Sequence, residues 1–389
     1  MSEQDQMVIH LPKAAYTSQA WFEQEQQMIF EQNWQFAGFV EDVEKVGDFI
    51  TVQVGRYNLI VVKDETEQLQ AFHNLCRHRG AQLLRTCGST KKRIACPYHN
   101  WSYSLQGELI GIPQQKQEFP ELDKSKLGLH KASVATWLGM IWVHPEPDAS
   151  SLFDWLQGAQ HHIGAHRADE LREYPEARTD DTIKANWKIV VENYIDGYHL
   201  SHLHSETLDM YDHQRQQTWF IGSHFIFYEP LSKEYQANLQ KMSPFPLIDH
   251  FTDTQPLGAY VPMLFPNLGI AATESSWSIF HVIPLASDLT RVVTRTRFMP
   301  VSNWQFLKQE TRMWTYYLNR NKSYKKQCQA ADKHDPMQSG NFMAEDIYAC
   351  EQQQKALSSP RFSVGATAEY QEASVRGFQQ HILQAMQSV

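Results

Sequence analysis

Asn186-Trp187-Lys188-Ile189-Val190-Val191-Glu192-Asn193-Tyr194-Ile195-Asp196-Gly197-Tyr198-His199-Leu200-Ser201-His202-Leu203-His204 gathers Glu192, Asp196, His199, His202 and His204 into thirteen residues. A mononuclear metal needs nitrogen and oxygen donors this close together. Two imidazoles with one carboxylate suit an iron that keeps coordination positions open. On a helix, residues three apart share a face, so Asp196, His199 and His202 would be neighbours there. His199 and His204 are five apart, roughly 140° around a regular helix. They meet only if the helix widens into a π-bulge or ends nearby. Both histidine pairings stand at this point. An amphipathic core helix accounts for a lone buried histidine better than for so many donors in one run.

Upstream lie Cys76-Arg77-His78-Arg79-Gly80 and Cys96-Pro97-Tyr98-His99-Asn100-Trp101, with seventeen residues between His78 and Cys96. Each half offers one thiolate and one imidazole. A Rieske [2Fe–2S] centre needs two thiolates on one iron and two imidazoles on the other. Cys76, His78, Cys96 and His99 meet that demand if the two loops face each other across the cluster. Gly80 and Pro97 suit loops that keep the backbone close to it. A structural zinc site with two cysteines and two histidines usually starts with the cysteines and ends with the histidines, in a much smaller domain. The mixed order here is unlike that. Arg77 and Arg79 either serve the cluster, by offsetting its charge or docking an electron donor, or are solvated surface arginines. Cys87, Cys328 and Cys350 lack the C-x4-C-x2-C spacing of a second cluster and read as ordinary thiols. An odd count of five cysteines in a long chain argues against a disulfide framework.

Working outward, Ser18 to Phe30 has helical spacing, with Ser18 as N-cap. From Gly47 the pattern turns to period two: Ile50, Val52 and Val54, then a turn at Gly55-Arg56-Tyr57, then Leu59 to Val62. Strand-like segments continue through Gln70–Asn74, Glu108–Ile112 and Trp137–Val143. Pro145 to Ser151 is turn-rich and reads as a boundary. Phe153 to Ala165 reads as helix, and 217–230 and 258–300 as strands, the last including Ser278–Ile283 and Arg291–Phe298. Helix returns from Trp304 to Cys328. A terminal helix carries Val375, Phe378, Ile382 and Met386 on one packed stripe. These patterns predict an α+β chain: a small all-β domain, then a larger domain with an antiparallel sheet covered by helices. The expected divisions are 1–40, 41–150 and 151–389.

The net charge of −9 argues against a nucleic-acid partner. The acidic start, Met1-Ser2-Glu3-Gln4-Asp5, is unlike a secretory signal, and no apolar run spans a bilayer. A cytoplasmic protein is the expectation. No Gly-x-Gly-x-x-Gly and no P-loop appear, so electrons would have to come from another protein.

The two iron motifs in this order resemble the α-subunit, or oxygenase component, of Rieske non-heme iron oxygenases. The choline and glycine-betaine branch is closest in appearance. The resemblance rests on the two Cys/His motifs, on Asn186-Trp187-Lys188, and on Glu192-Asn193-Tyr194 with Asp196-Gly197-Tyr198-His199. It implies that His199 and His204 bind a mononuclear Fe(II), and that His202 does not. It also implies a third ligand in Glu345-Asp346-Ile347-Tyr348-Ala349-Cys350-Glu351, namely Asp346. The family further implies a homotrimer or mixed hexamer, in which the cluster of one subunit faces the iron of its neighbour. Asp196 would bridge the two sites through His99 and His199. A separate flavin- or ferredoxin-type reductase would supply electrons, with O2 and a small molecule as substrates.

The resemblance points to a small aliphatic amine or quaternary ammonium substrate of betaine, choline or carnitine type. An aromatic cage would recognise it, with Tyr194, Tyr198, Trp219, Phe220, Phe227, Tyr260 and Phe265 as candidates. The alternatives are an aminosulfonate such as taurine, met by Arg291, Arg295 or Arg297, and cis-dihydroxylation of an aromatic ring. A plain Rieske electron carrier would leave the Asp196–His204 run unexplained, and a zinc-stabilised binding protein would be colourless.

Overall fold

The computed structural model describes residues 11–163, 166–174, 177–204, 210–243, 245–248, 257–320, 335–338 and 341–387. The chain forms two compact units, one of residues 24–155 and one of 1–23 with 156–389. Helix α1 (Gln19–Met28) carries the chain from the second into the first. Its first turn is capped as expected, the Ser18 hydroxyl accepting from the Trp21 N–H at 3.3 Å.

In the unit 24–155, strands β1 (Gln35–Phe39), β2 (Asp48–Val54), β3 (Tyr57–Lys63), β4 (Leu69–His73) and β5 (Cys87–Ser89) precede a small sheet of β6 (Ile94–Ala95), β7 (Ser102–Tyr103) and β8 (Leu109–Gly111). Strands β9 (Lys131–Trp137) and β10 (Met140–His144) follow. The large antiparallel sheet runs β1-β10-β9-β4-β3-β2-β5. Strand β3, inside this sheet between β4 and β2, explains the unbroken apolar run at Leu59–Val62. Ile60 and Val62 face the core that also holds Cys76, Cys96, Trp101 and Tyr103, while Leu59 and Val61 face the opposite core with Val54 and Ile141. Successive strand residues point to opposite faces, so a strand covered on both sides must be apolar throughout.

The segment expected as a strand from Trp137 to Val143 is instead the junction of a hairpin. Leu138 and Gly139 both take positive φ, +52° and +76°, as a two-residue type I′ turn requires. Leucine is a rare first residue for such a turn, and this hid it in the sequence.

The second unit builds a nine-stranded antiparallel sheet from β11 (Arg172–Glu173), β12 (Thr179–Ile183), β13 (Gln217–Ile221), β14 (His224–Pro230), β15 (Gly258–Tyr260), β16 (Met263–Leu264), β17 (Leu268–Ala272), β18 (Trp277–Ala286) and β19 (Leu289–Phe298). The β18–β19 hairpin is longer than expected because β18 continues through Pro284. Among the described residues β17 pairs with β18 from Trp277 to His281, short of Pro284, whose missing N–H is tolerated beyond the end of that pairing. The helix expected from Phe153 to Ala165 is only α2 (Leu152–Leu156). Gln157 and Gly158 turn left-handed, φ +53° and +98°, and stop it; residues 164 and 165 lie outside the described set.

Helix α3 (Trp187–Ile195) packs on β18 and β19 beneath α6 (Phe342–Leu357) and α7 (Ala373–Gln387). Asn186 explains where α3 begins. Its side chain accepts from the Lys188 N–H at 3.0 Å and donates to the Ser287 carbonyl at 2.7 Å in the β18–β19 turn. A capping bond and a tie to the sheet thus come from one fully buried amide. Helix α7 buries Val375, Phe378 and Ile382, and Met386 is half-buried. The helix expected at Trp304–Cys328 is described as α5 (Asn303–Arg320); Cys328 lies outside the described residues. Among the described residues no helix is long and apolar enough to cross a membrane.

Candidate active site

The two Cys/His loops of the first unit are built alike. The Cys76 N–H donates to the Ala81 carbonyl, and the Gly80 N–H donates back to the Cys76 carbonyl. At the same offsets the Cys96 N–H donates to Trp101 and the Asn100 N–H to Cys96. The reversal needs a left-handed residue four after each cysteine: Gly80 at φ +69° and Asn100 at φ +56°, glycine and asparagine being the residues that accept it most readily. Both thiols are buried, 2% and 3% exposed, whereas His78 and His99 are half-buried. The two imidazole Nδ1 atoms lie 3.2 Å apart, and His78 stacks on Trp101 with centroids 4.8 Å apart. Nitrogens this close could serve as adjacent ligands of a single metal, with the two sulfurs deeper in the core. That division fits a cluster with one all-thiolate and one all-imidazole iron.

The Tyr103 hydroxyl lies 3.2 Å from Cys76 Sγ and accepts from the Arg77 N–H at 3.0 Å. Arg77 itself donates to the Gly128 carbonyl at 2.7 Å, while Arg79 lies over the Tyr98 ring at 5.6 Å. Arg77 therefore holds the loop in place and is not a freely solvated arginine.

In the second unit the donor-rich run does not stay helical. Helix α3 ends at Asp196, whose backbone is extended at φ −76° and ψ 116°. After Gly197 a single turn, α4 (Leu200–Leu203), has His199 as its N-cap and His204 as its C-cap. The two rings thus meet from either end of one turn, centroids 5.2 Å apart, while His202 points outward and is exposed. Glu192 faces away from them. It accepts from the Tyr16 hydroxyl at 2.6 Å and from Gln379 at 3.0 Å, and burial pushes its carboxyl up to about 7.

Helix α6 brings the acidic pair. The Asn341 side chain caps it by accepting from the Met343 N–H at 3.1 Å. Glu345 and Asp346 then reach different sides of His204: Glu345 Oε2 meets Nδ1 at 2.9 Å, and Asp346 Oδ1 meets Nε2 at 3.1 Å. On the other ring, Asp196 Oδ2 lies 3.1 Å from His199 Nδ1, and Asp346 Oδ1 lies 3.7 Å from His199 Nε2. Donor atoms of His199, His204 and Asp346 all lie within 4.8 Å of one another. Burial disfavours a charged His204, but Asp346 and Glu345 outweigh it and hold its pKa above the ordinary range. A field that favours positive charge at this point suits a bound divalent cation. Asn193, unassigned by sequence reasoning, donates to Asp346 Oδ1 at 3.2 Å.

A cavity of about 320 Å³ opens on this triad. Of the aromatic residues proposed for its wall, Tyr194 and Phe227 line it, joined by Tyr211, Phe280 and Phe342, which sequence reasoning missed. Tyr198, Trp219, Phe220, Tyr260 and Phe265 do not. The proposed arginines are engaged elsewhere: Arg291 with Asp180, Arg295 with Glu173, and Arg297 with the Leu171 carbonyl. Gly269 sets the position of Tyr194, because a Cβ there would stand 2.6 Å from the ring. Gly269→Ala is expected to push the ring into the cavity and to destabilise the protein by about 1–3 kcal/mol, read as a fall in Tm.

The profile of the ring hydroxylating alpha subunit (catalytic domain) family matches residues 142–388, and that of the Rieske [2Fe-2S] domain matches residues 33–136. The chain is 26% identical over 365 residues to chloroplastic choline monooxygenase of Atriplex hortensis, covering 91% of this chain and 73% of that protein. It is 32% identical over 214 residues to the anthranilate 1,2-dioxygenase large subunit of Acinetobacter baylyi, a match spanning 54% of this chain and 45% of that one. A crystal structure of the quaternary ammonium Rieske monooxygenase CntA superposes with a TM-score of 0.75 at 22% identity, over 97% of this chain and 95% of that chain, which establishes the shared fold. The chain belongs to the ring-hydroxylating α-subunit family and is a Rieske oxygenase, with a [2Fe–2S] domain followed by a catalytic domain for mononuclear iron.

Proposed function

We propose that this terminal oxygenase component hydroxylates or oxidatively dealkylates a small aliphatic amine or quaternary ammonium compound. A separate flavin- or ferredoxin-type reductase would supply the electrons from NAD(P)H. The observation that carries the reading is the cavity wall, where the rings of Tyr194, Tyr211, Phe227 and Phe280 share one space with His199, His204 and Asp346. Aromatic faces attract alkylammonium groups. Similarity to choline monooxygenase and the fold shared with a quaternary ammonium monooxygenase support the same reading. Oxidation of an aromatic ring is the second reading, favoured by the apolar side chains Val190, Ile279 and Ile347 in that wall.

In this proposal Cys76, His78, Cys96 and His99 hold the cluster, and His199, His204 and Asp346 hold the iron. When bound, the cluster supplies single electrons and the iron supplies the place where O2 is activated beside substrate. The remaining work falls to the chain's own residues. Asp196 and Glu345 accept the Nδ1–H of His199 and His204 and so aim both Nε2 lone pairs at one point. Asn193 fixes the Asp346 carboxylate between them. The apolar wall keeps water from competing for the site. In a homotrimer, Asp196 would also accept a hydrogen bond from His99 of the partner subunit and so join the two redox centres.

Single turnover with isotopically labelled O2 tests the reading. The chemically reduced protein is mixed with betaines, choline, carnitine, aminosulfonates and simple aromatics, and products are read by mass spectrometry. Label in an amine product, or its dealkylation, is expected; label in an aromatic diol alone would overturn the amine reading. Tyr103→Phe tests the cluster assignment separately. Losing the hydrogen bond at Cys76 Sγ is expected to lower the reduction potential on the order of tens of millivolts, read by redox titration.

A further inference from the structure

Besides Asp196, the described cavity wall contains a carboxylate that belongs to neither proposed ligand set. Glu229, on β14, is 4% exposed, yet it lines the cavity. Phe227, two residues earlier on the same strand, shares its face and also lines the cavity. Across the sheet Glu229 is in register with Ala259. Ala259 and Ala271 both line the same space, and their small side chains leave room before the carboxylate.

A buried carboxylate beside apolar space is costly unless something compensates its charge. Among the described residues its hydrogen-bond partner is His213, whose Nδ1 lies 2.6 Å from Oε1. The imidazole at that distance orients the carboxylate. Tyr211 stands in the same wall. Burial first, and then the charges of Glu274 and Glu229, push its hydroxyl well above the usual range. The other lining carboxylates, Asp196 and Asp346, are engaged by His199, His204 and Asn193. No lysine or arginine occurs among the described lining residues.

We propose that Glu229 receives the positively charged nitrogen of the substrate and selects a small organic cation over a neutral molecule of the same shape. This rests on the amine reading above and adds its charge class and its determinant. Phe227 and Tyr211 offer their faces to the alkyl groups around the nitrogen, and Glu229 supplies the counter-charge.

The test compares choline with 3,3-dimethylbutan-1-ol, which has nearly the same shape without the charge. Both are titrated calorimetrically into the oxidised holoenzyme under anaerobic conditions, so that no turnover is needed. The wild-type protein is expected to bind choline at least about tenfold more tightly, about 1.4 kcal/mol. Glu229→Gln is expected to erase that preference while keeping wild-type iron and cluster content and unchanged affinity for the neutral alcohol. Glu229→Asp, which keeps the charge but withdraws it by one methylene, is expected to retain a reduced preference and serves if the Gln variant does not fold. A wild-type protein without preference for the cation, or either variant with the full wild-type preference, overturns the proposal. Cation binding through Glu229 without oxidation of any amine in the labelled-oxygen panel keeps this site and removes the amine-oxidation reading. Amine oxidation without cation preference does the reverse.

Discussion

Asp346→Ala is expected to yield protein with a complete [2Fe–2S] spectrum, background levels of mononuclear iron and no substrate oxidation. The argument rests on position. Asp346 Oδ1 is the one carboxylate atom set against the Nε2 atoms of both His204 and His199, at 3.1 and 3.7 Å. Its removal leaves two imidazoles, one donor short of a three-ligand iron site. The neighbouring acid predicts a different result. Glu345 meets His204 from behind, at Nδ1, where a carboxylate fixes ring orientation and basicity without touching the metal. Glu345→Gln is therefore expected to weaken iron affinity by about 10–100-fold and to recover activity when Fe(II) is added in excess. Iron and sulfide analysis after anaerobic reconstitution separates the two variants. Exchange of the two phenotypes would reverse the assignment within the acidic pair.

Asp196→Asn is expected to keep both metals and to lower coupled substrate oxidation by about a hundredfold or more, the upper end for loss of a carboxylate behind a metal-bound imidazole. The amide can still accept the Tyr198 N–H that Asp196 Oδ1 accepts at 2.7 Å, so the loop keeps its shape. It cannot serve as a charged acceptor for His199 and, in the proposed homotrimer, for a cluster histidine of an adjacent subunit together. The rate at which the reduced cluster is reoxidised in the presence of substrate and O2 reads this directly. A wild-type rate would remove Asp196 from the electron route.

Much of this architecture was legible because metal ligation forces spacing. The Cys/His loops declared themselves through residue type alone, and Gly80 marked the left-handed corner of the first. Asn100, which turns the second corner, carried no such mark. The break in the donor-rich run was harder to see, with only Gly197 to suggest that the helix would stop. It is the stop at Asp196, and the single turn between His199 and His204, that lets residues five apart meet. The cavity wall was least legible. Alternation in a strand does not say which face is inward: Phe227 lines the cavity, whereas Tyr228 and Tyr260 pair with each other, rings 4.9 Å apart. Tyr211, Phe280 and Phe342 come from three separated segments that only the folded sheet and helices bring together. Glu345 and Asp346 could not be told apart without His204, which has one acid at each nitrogen.

The hydrogen bonds behind the triad bear on how the enzyme acquires the right metal. Asp196, Glu345 and Asn193 hold His199, His204 and Asp346 through contacts within the protein, so the proposed ligands are oriented by the chain's own hydrogen bonds. A site made this way is receptive to any divalent ion of suitable size. Ferrous iron is near the weak end of the intrinsic affinity order, below cobalt, nickel, copper and zinc. Zinc in the place of iron is then expected to remove activity while leaving the fold and the cluster intact.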